Sequence, residues 1–122
     1  MYGNLGGKSF GIIGAGRMGR AHIQAAQNLG LVCKFICEPN QENLAEAVKI
    51  CDQNRVTLFK SVNELRAKFT PVDLVIVATT TDVRTNIVQM LVDQPIQAIL
   101  CEKPMASSIY ECSLIIQLCQ SA

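Results

Sequence analysis

The chain has 122 residues, the size of one compact domain. With 49% hydrophobic and 17% charged residues it can bury a core, which argues against disorder. A formal net charge of +1 with no long basic run offers no nucleic-acid surface, and no apolar stretch approaches the roughly 20 residues that span a bilayer.

Met1 to Gly7 lacks the charged and apolar regions of a signal peptide and reads as a short flexible lead-in, leaving residues 8–122 as the domain. Ser9 to Ile13 reads as a strand that ends in a glycine turn. Arg17 to Leu29 has the spacing of a helix, with Met18, Ala21, Ala25 and Leu29 on one face and Gly30 as its stop. Leu31 to Cys37 is a second strand, closed by Pro39-Asn40, and Gln41 to Cys51 a second helix. Val56 to Phe59 is a short third strand. Ser61-Val62-Asn63-Glu64 has capping-box spacing and opens a short helix. Val72 to Ala78 is the most apolar strand, Asp82 to Val92 a helix with Ile87 and Leu91 on one face, and Ile96 to Cys101 a fifth strand. A second capping box, Ser108 to Glu111, opens a last helix that runs almost to the end.

The order is βαβαβ, a helical crossover, then a similar continuation. Strands apolar on both faces, alternating with helices, imply a parallel sheet covered on both sides. Right-handed crossovers then predict an α/β doubly wound sheet of Rossmann type, in one domain, with strand order 3-2-1-4-5. The six cysteines, at 33, 37, 51, 101, 112 and 119, contain no Cys-x-x-Cys pair. They read as buried free thiols of a reducing cytoplasm, and no metal site is expected.

The sharpest motif is Gly14-Ala15-Gly16-Arg17-Met18-Gly19, a G-x-G-x-x-G between strand and helix. Gly14 permits the tight turn, Gly16 lets a diphosphate approach the backbone, and Gly19 lets the helix pack on the first strand. The N–H groups near Arg17 and Met18, aided by the helix dipole, then meet the phosphates. The plainer alternative is a glycine-rich turn without a ligand. Glu38 follows Gly19 at the end of the second strand, where an acid accepts hydrogen bonds from the adenosine ribose hydroxyls. A carboxylate there repels a 2′-phosphate and favours NAD over NADP, although Arg17 could stand beside such a phosphate.

A second motif, Cys101-Glu102-Lys103-Pro104, follows the fifth strand. With the glycine turn and Ala78-Thr79-Thr80-Thr81, it resembles the glucose–fructose oxidoreductase / inositol dehydrogenase (Gfo/Idh/MocA) family, over about Ser9 to Ala122. The resemblance implies a two-domain, homo-oligomeric, NAD(P)-dependent oxidoreductase acting on a sugar, cyclitol or related small polar molecule. The present chain would be its N-terminal half, inactive alone, with the substrate domain beyond Ala122. It also implies that Lys103 is catalytic and points at nicotinamide and substrate. Glu102 would contact the nicotinamide ribose, Pro104 would fix the turn through a cis bond, and Thr79 and Thr81 would be cofactor contacts. Relatives commonly carry proline at Thr80 and histidine at Arg84, so these departures are expected to loosen the loop after strand four. His22, on the first helix, reads as a surface residue without a chemical role. A nicotinamide-sensing regulatory module of the same fold, and a reductase of another substrate class such as a tetrapyrrole or an imine, remain as alternatives. The face that would meet a second domain is expected to be apolar.

Overall fold

The computed structural model describes residues 6–51 and 56–121; the first five residues of the expected lead-in lie outside the described residues. The strands are β1 (Ser9–Ile13), β2 (Val32–Cys37), β3 (Thr57–Phe59), β4 (Leu74–Val77) and β5 (Ala98–Cys101). The helices are α1 (Arg17–Asn28), α2 (Gln41–Ile50), α3 (Val62–Ala67), α4 (Arg84–Leu91) and α5 (Ile109–Ser121), with a 3₁₀ turn at Thr81–Val83 leading into α4. All strand pairs are parallel, and the sheet order is β3-β2-β1-β4-β5, as the alternation of elements predicts.

Strand residues divide between two layers, and a register shift at Phe10/Gly11, which leaves Lys34 as an extra residue in β2, puts Cys33 and Ile36 in the same one. Phe10, Ile12, Cys33, Ile36 and Ile76 pack with Ile23 and Ala26 of α1 and Leu44 and Ala47 of α2. Ile13, Phe35, Cys37, Val75 and Val77 pack on the other face with Leu65 of α3 and Ile87, Met90 and Leu91 of α4. A small cluster of Val88, Ala106 and Ile115 joins α4 to α5. Gly11 makes room for Phe35: a Cβ at Gly11 would stand 2.0 Å from the Phe35 ring. That ring meets Phe59 and Phe69 edge-on, with centroids 6.0 and 5.6 Å away.

The strands are shorter at their starts than the apolar runs. Leu31 and Val72 are buried but precede the ladder, because an apolar run measures burial and not pairing. The buried face of α1 also differs from expectation. Met18, Ala21, Ala25 and Leu29 are exposed, whereas Gly19, Ile23 and Ala26 face the sheet. Both stripes fit a 3.6-residue period. The choice falls to Gly19, whose added Cβ would lie 2.1 Å from the Gly14 carbonyl oxygen. This contact fixes the rotation of the helix and brings the residues in line with Gly19 onto the core.

Helix ends follow local chemistry. Gly30, with φ +90°, stops α1 in the left-handed region. Asn40 caps α2 by accepting from the Asn43 N–H at 2.9 Å. At α3, Ser61 accepts from the Glu64 N–H at 3.1 Å, and Glu64 reaches back to the N–H of Lys60 at 2.9 Å. Ser108 accepts from the Glu111 N–H at 3.1 Å at the start of α5.

All six cysteines are free, but only Cys33 and Cys37 are buried; Cys51, Cys101 and Cys112 are half-buried and Cys119 is exposed on α5. Desolvation pushes the Cys33 thiol up, and pushes Cys37 from 9.0 to about 12, helped by the charges of Glu38 and Glu64. Apolar side chains stand exposed at the β5–α5 end, among them Leu100, Ile109, Tyr110 and Ile116. No helix among the described residues is long and apolar enough to cross a membrane.

Candidate functional site

The strand order reverses between β1 and β4, and the loops after β1, β2, β4 and β5 meet at the carboxyl edge there. Beyond that edge a cavity of about 760 Å³ runs from the glycine turn to the loops after β2, β3 and β4. Such a crevice is where open parallel sheets take ligands.

The glycine turn forms its inner wall. Gly14 has φ +95°, and a Cβ there would stand 2.7 Å from the Ala78 backbone, so β1 turns only because this residue is bare. Arg20 braces the turn by donating to the Ala15 carbonyl at 3.1 Å and to Asn43 at 3.2 Å. Gly16 caps α1 without a side-chain acceptor, and the first turn of α1 carries no carboxylate. The leading amides of the helix therefore lack internal acceptors. A Cβ at Gly16 would meet nothing within 4 Å, so space is left in front of those amides. Arg17 and Met18 are exposed beside it. This open seat, with positive helix-end potential behind it, fits a diphosphate.

Glu38 follows β2 and lines the cavity, yet it is only 7% exposed. Its Oε1 accepts from the Ala15 N–H at 2.7 Å and its Oε2 from the Asn40 N–H at 2.9 Å. The carboxylate is thus fixed from below by two backbone donors, and each oxygen keeps a lone pair for a hydroxyl. Lys60 and Arg66 line the opposite wall, whereas Arg17 lies outside the cavity lining.

Thr79 and Thr80 line the same cavity. Thr81 does not; its hydroxyl accepts from Ser107 at 3.0 Å. The loop after β5 completes the edge. Glu102 donates its N–H to the Val77 carbonyl at 2.9 Å, Lys103 is exposed, and Lys103–Pro104 is a cis peptide.

Two residues change the expected picture. His22 is not an idle surface residue: it is half-buried, and its Nε2 is hydrogen-bonded to Oε2 of Glu102. This bond holds the Glu102 carboxyl below the usual range, with help from the neighbouring Lys103. The available signal was spacing, since His22 stands three residues beyond Gly19 and so shares its end of α1. Arg84, expected to loosen the loop after β4, ties it down. It is 2% exposed and donates to the carbonyls of Thr79, Glu102 and Pro104. A long guanidinium reaches across to a second loop and supplies donors to both.

A parallel sheet of this order, with a bare turn opening α1 and a fixed acid after β2, defines a dinucleotide-binding α/β domain. The chain belongs to the Gfo/Idh/MocA oxidoreductase family: the family model, described as an NAD-binding Rossmann fold, matches residues 8–122.

Solved structures share the fold. A myo-inositol dehydrogenase from Lactobacillus casei, in complex with NAD(H) and myo-inositol, is 24% identical with a TM-score of 0.81; the match covers 94% of this chain and 34% of that one. An oxidoreductase from Agrobacterium radiobacter, in complex with NAD⁺, L-tartaric acid and magnesium, is 23% identical with a TM-score of 0.81, covering 93% and 32%. The WlbA dehydrogenase from Bordetella pertussis, in complex with NADH and UDP-GlcNAcA, is 23% identical with a TM-score of 0.77, covering 92% and 33%. The chain therefore spans about one third of the length of these proteins. No curated protein matches it in sequence.

Proposed function

We propose that the chain is the cofactor-binding part of an NAD(P)-dependent oxidoreductase, with NAD preferred, acting on a sugar, cyclitol or related small polar molecule. The observation that carries this reading is the open seat at Gly16, one crevice wall away from the fixed carboxylate of Glu38. The leading amides of α1, at Arg17, Met18 and Gly19, hold the diphosphate, with Gly14 shaping the turn. Glu38 accepts from the adenosine ribose hydroxyls, and its charge disfavours a 2′-phosphate. Thr79 and Thr81, on the loop after β4, and Glu102 contact the nicotinamide half.

When bound, the nicotinamide supplies hydride transfer. The chain contributes orientation and charge. Lys103 presents an ammonium at the reacting edge, where it hydrogen-bonds a substrate oxygen and stabilises negative charge developing on it. His22 holds the Glu102 carboxyl in place. The structural relatives were solved with inositol, tartaric acid and a UDP-sugar acid, a range that supports small polar substrates. Each is about three times as long as this chain, which supports a second domain that completes the substrate site, carries the other proton-transferring groups and mediates assembly. The 122-residue chain then binds cofactor without turnover in a cytoplasmic setting.

The test is thermal unfolding with NAD⁺ or NADP⁺. Ligand at a hundred times Kd stabilises the folded form by about 2.7 kcal/mol, so the midpoint rises by several degrees, more for NAD⁺ at equal concentration. No rise with either dinucleotide overturns the reading.

A further inference from the structure

We propose that Arg84 is a positioning residue that assembles the nicotinamide half of the site by clamping the loop after β4 to the loop that carries Lys103. The proposal rests on the dinucleotide reading above and adds a residue to it.

Arg84 opens α4, immediately behind the edge where both loops emerge. One of its terminal nitrogens donates to the Thr79 carbonyl, on the loop after β4. The other donates to the Glu102 and Pro104 carbonyls, which flank Lys103 on either side. Lys103 itself is exposed and lies beyond the β4–β5 ladder, whose last pair is Val77 with Cys101. Past that point the Glu102 N–H to Val77 carbonyl bond is the last backbone link between the two strands. The guanidinium takes over where that pairing stops.

Among the described residues the buried side chain has no acidic partner, and its Nε has no acceptor. A buried cation held by carbonyls alone is a poor way to gain stability. It is a good way to fix two loops at once, because the planar fork sets the angle between its acceptors. Removing it should therefore disturb the part of the site built on these loops far more than the glycine turn and Glu38. Those stand on β1 and β2, on the far side of the strand reversal.

Two ligands separate the halves. ADP carries the adenosine and the diphosphate but neither the second ribose nor the nicotinamide, whereas NAD⁺ carries both ends. Their dissociation constants are measured calorimetrically on the wild-type chain and on Arg84→Gln. We expect NAD⁺ to bind about tenfold more weakly to the variant, the loss of one to two charge-assisted hydrogen bonds' worth of positioning. ADP affinity should change less than about twofold. If Arg84→Gln does not fold, Arg84→Lys serves in the same comparison, since a single ammonium does not reproduce the fork. Equal weakening of both ligands means a general structural role and overturns the proposal, as does unchanged NAD⁺ affinity. A wild-type chain that binds neither ligand refutes the dinucleotide reading first, and the clamp's purpose with it.

Discussion

Nε2 of His22 on α1 is hydrogen-bonded to Oε2 of Glu102, 80 residues further along the chain, on the loop after β5. The helix whose first turn forms the proposed diphosphate seat is thereby latched to the loop that carries Lys103. The two ends of a bound dinucleotide would be held by elements that are themselves in contact.

The first prediction concerns this latch. His22→Ala and Glu102→Ala each lower the melting temperature, because each leaves a half-buried partner without its hydrogen bond. Combined, they lower it by clearly less than the sum of the single effects, since the second change removes a bond already lost. Strictly additive shifts in differential scanning calorimetry would show that the two side chains do not interact.

Gly16 and Gly19 are expected to separate ligand binding from folding. A methyl on Gly19 would strike the Gly14 carbonyl at 2.1 Å, backbone on backbone, so Gly19→Ala costs about 3 kcal/mol or more. A methyl on Gly16 meets nothing within 4 Å, so Gly16→Ala stays within about 0.5 kcal/mol of wild type. It should nonetheless weaken NAD⁺ binding by at least about tenfold by filling the diphosphate seat. Urea denaturation and calorimetric titration of both variants check the contrast.

Glu38→Ala should damage the fold before it alters cofactor choice. The carboxylate accepts from the Ala15 and Asn40 N–H groups, and Ala15 is fully buried. Losing both charge-assisted bonds and orphaning a buried amide costs about 2–4 kcal/mol. Urea midpoints with an unchanged slope report this directly. A variant made at Glu38 to admit NADP⁺ therefore needs compensation for those two amides.

Stability should be flat near neutrality and fall at both pH extremes. Asp73 is held below its ordinary 3.8, chiefly by the Ser9 backbone N–H, and Glu102 below its ordinary 4.5 by His22. Carboxyls lowered in the folded state contribute stability above their unfolded values and lose it as pH falls through the folded ones. Cys37 is raised from 9.0 to about 12, so its contribution is complete below 9.0 and is lost as pH climbs between these values. Urea midpoints measured from about pH 3 to 11 should trace this plateau, and Cys37→Ala should flatten the alkaline limb.

Much of this arrangement is legible in the chain because it depends on local pattern. Apolar runs such as Leu74–Val77 between helical stretches require a parallel sheet, and handed crossovers leave few orders for five strands. The glycine spacing and Glu38 declare their place because each needs only its neighbours in one βαβ unit. The buried face of α1 was not legible, since two stripes share the helical period and a backbone contact at Gly19 selects between them. Nor were His22 and Arg84, whose partners come from distant segments: no periodicity says that an arginine at the head of α4 will face three carbonyls instead of water. Chemistry carried by local turns is visible in sequence, whereas chemistry made by joining loops across the sheet is not.

The vacancy at Gly11 has an evolutionary reading. The Phe35 ring occupies the space a side chain at 11 would need, and it leans on Phe59 and Phe69 in turn. Positions 11 and 35 can therefore drift only as a pair: a lineage that gains bulk on the first strand must shed it on the second, and the aromatic trio would be rebuilt in the same stroke.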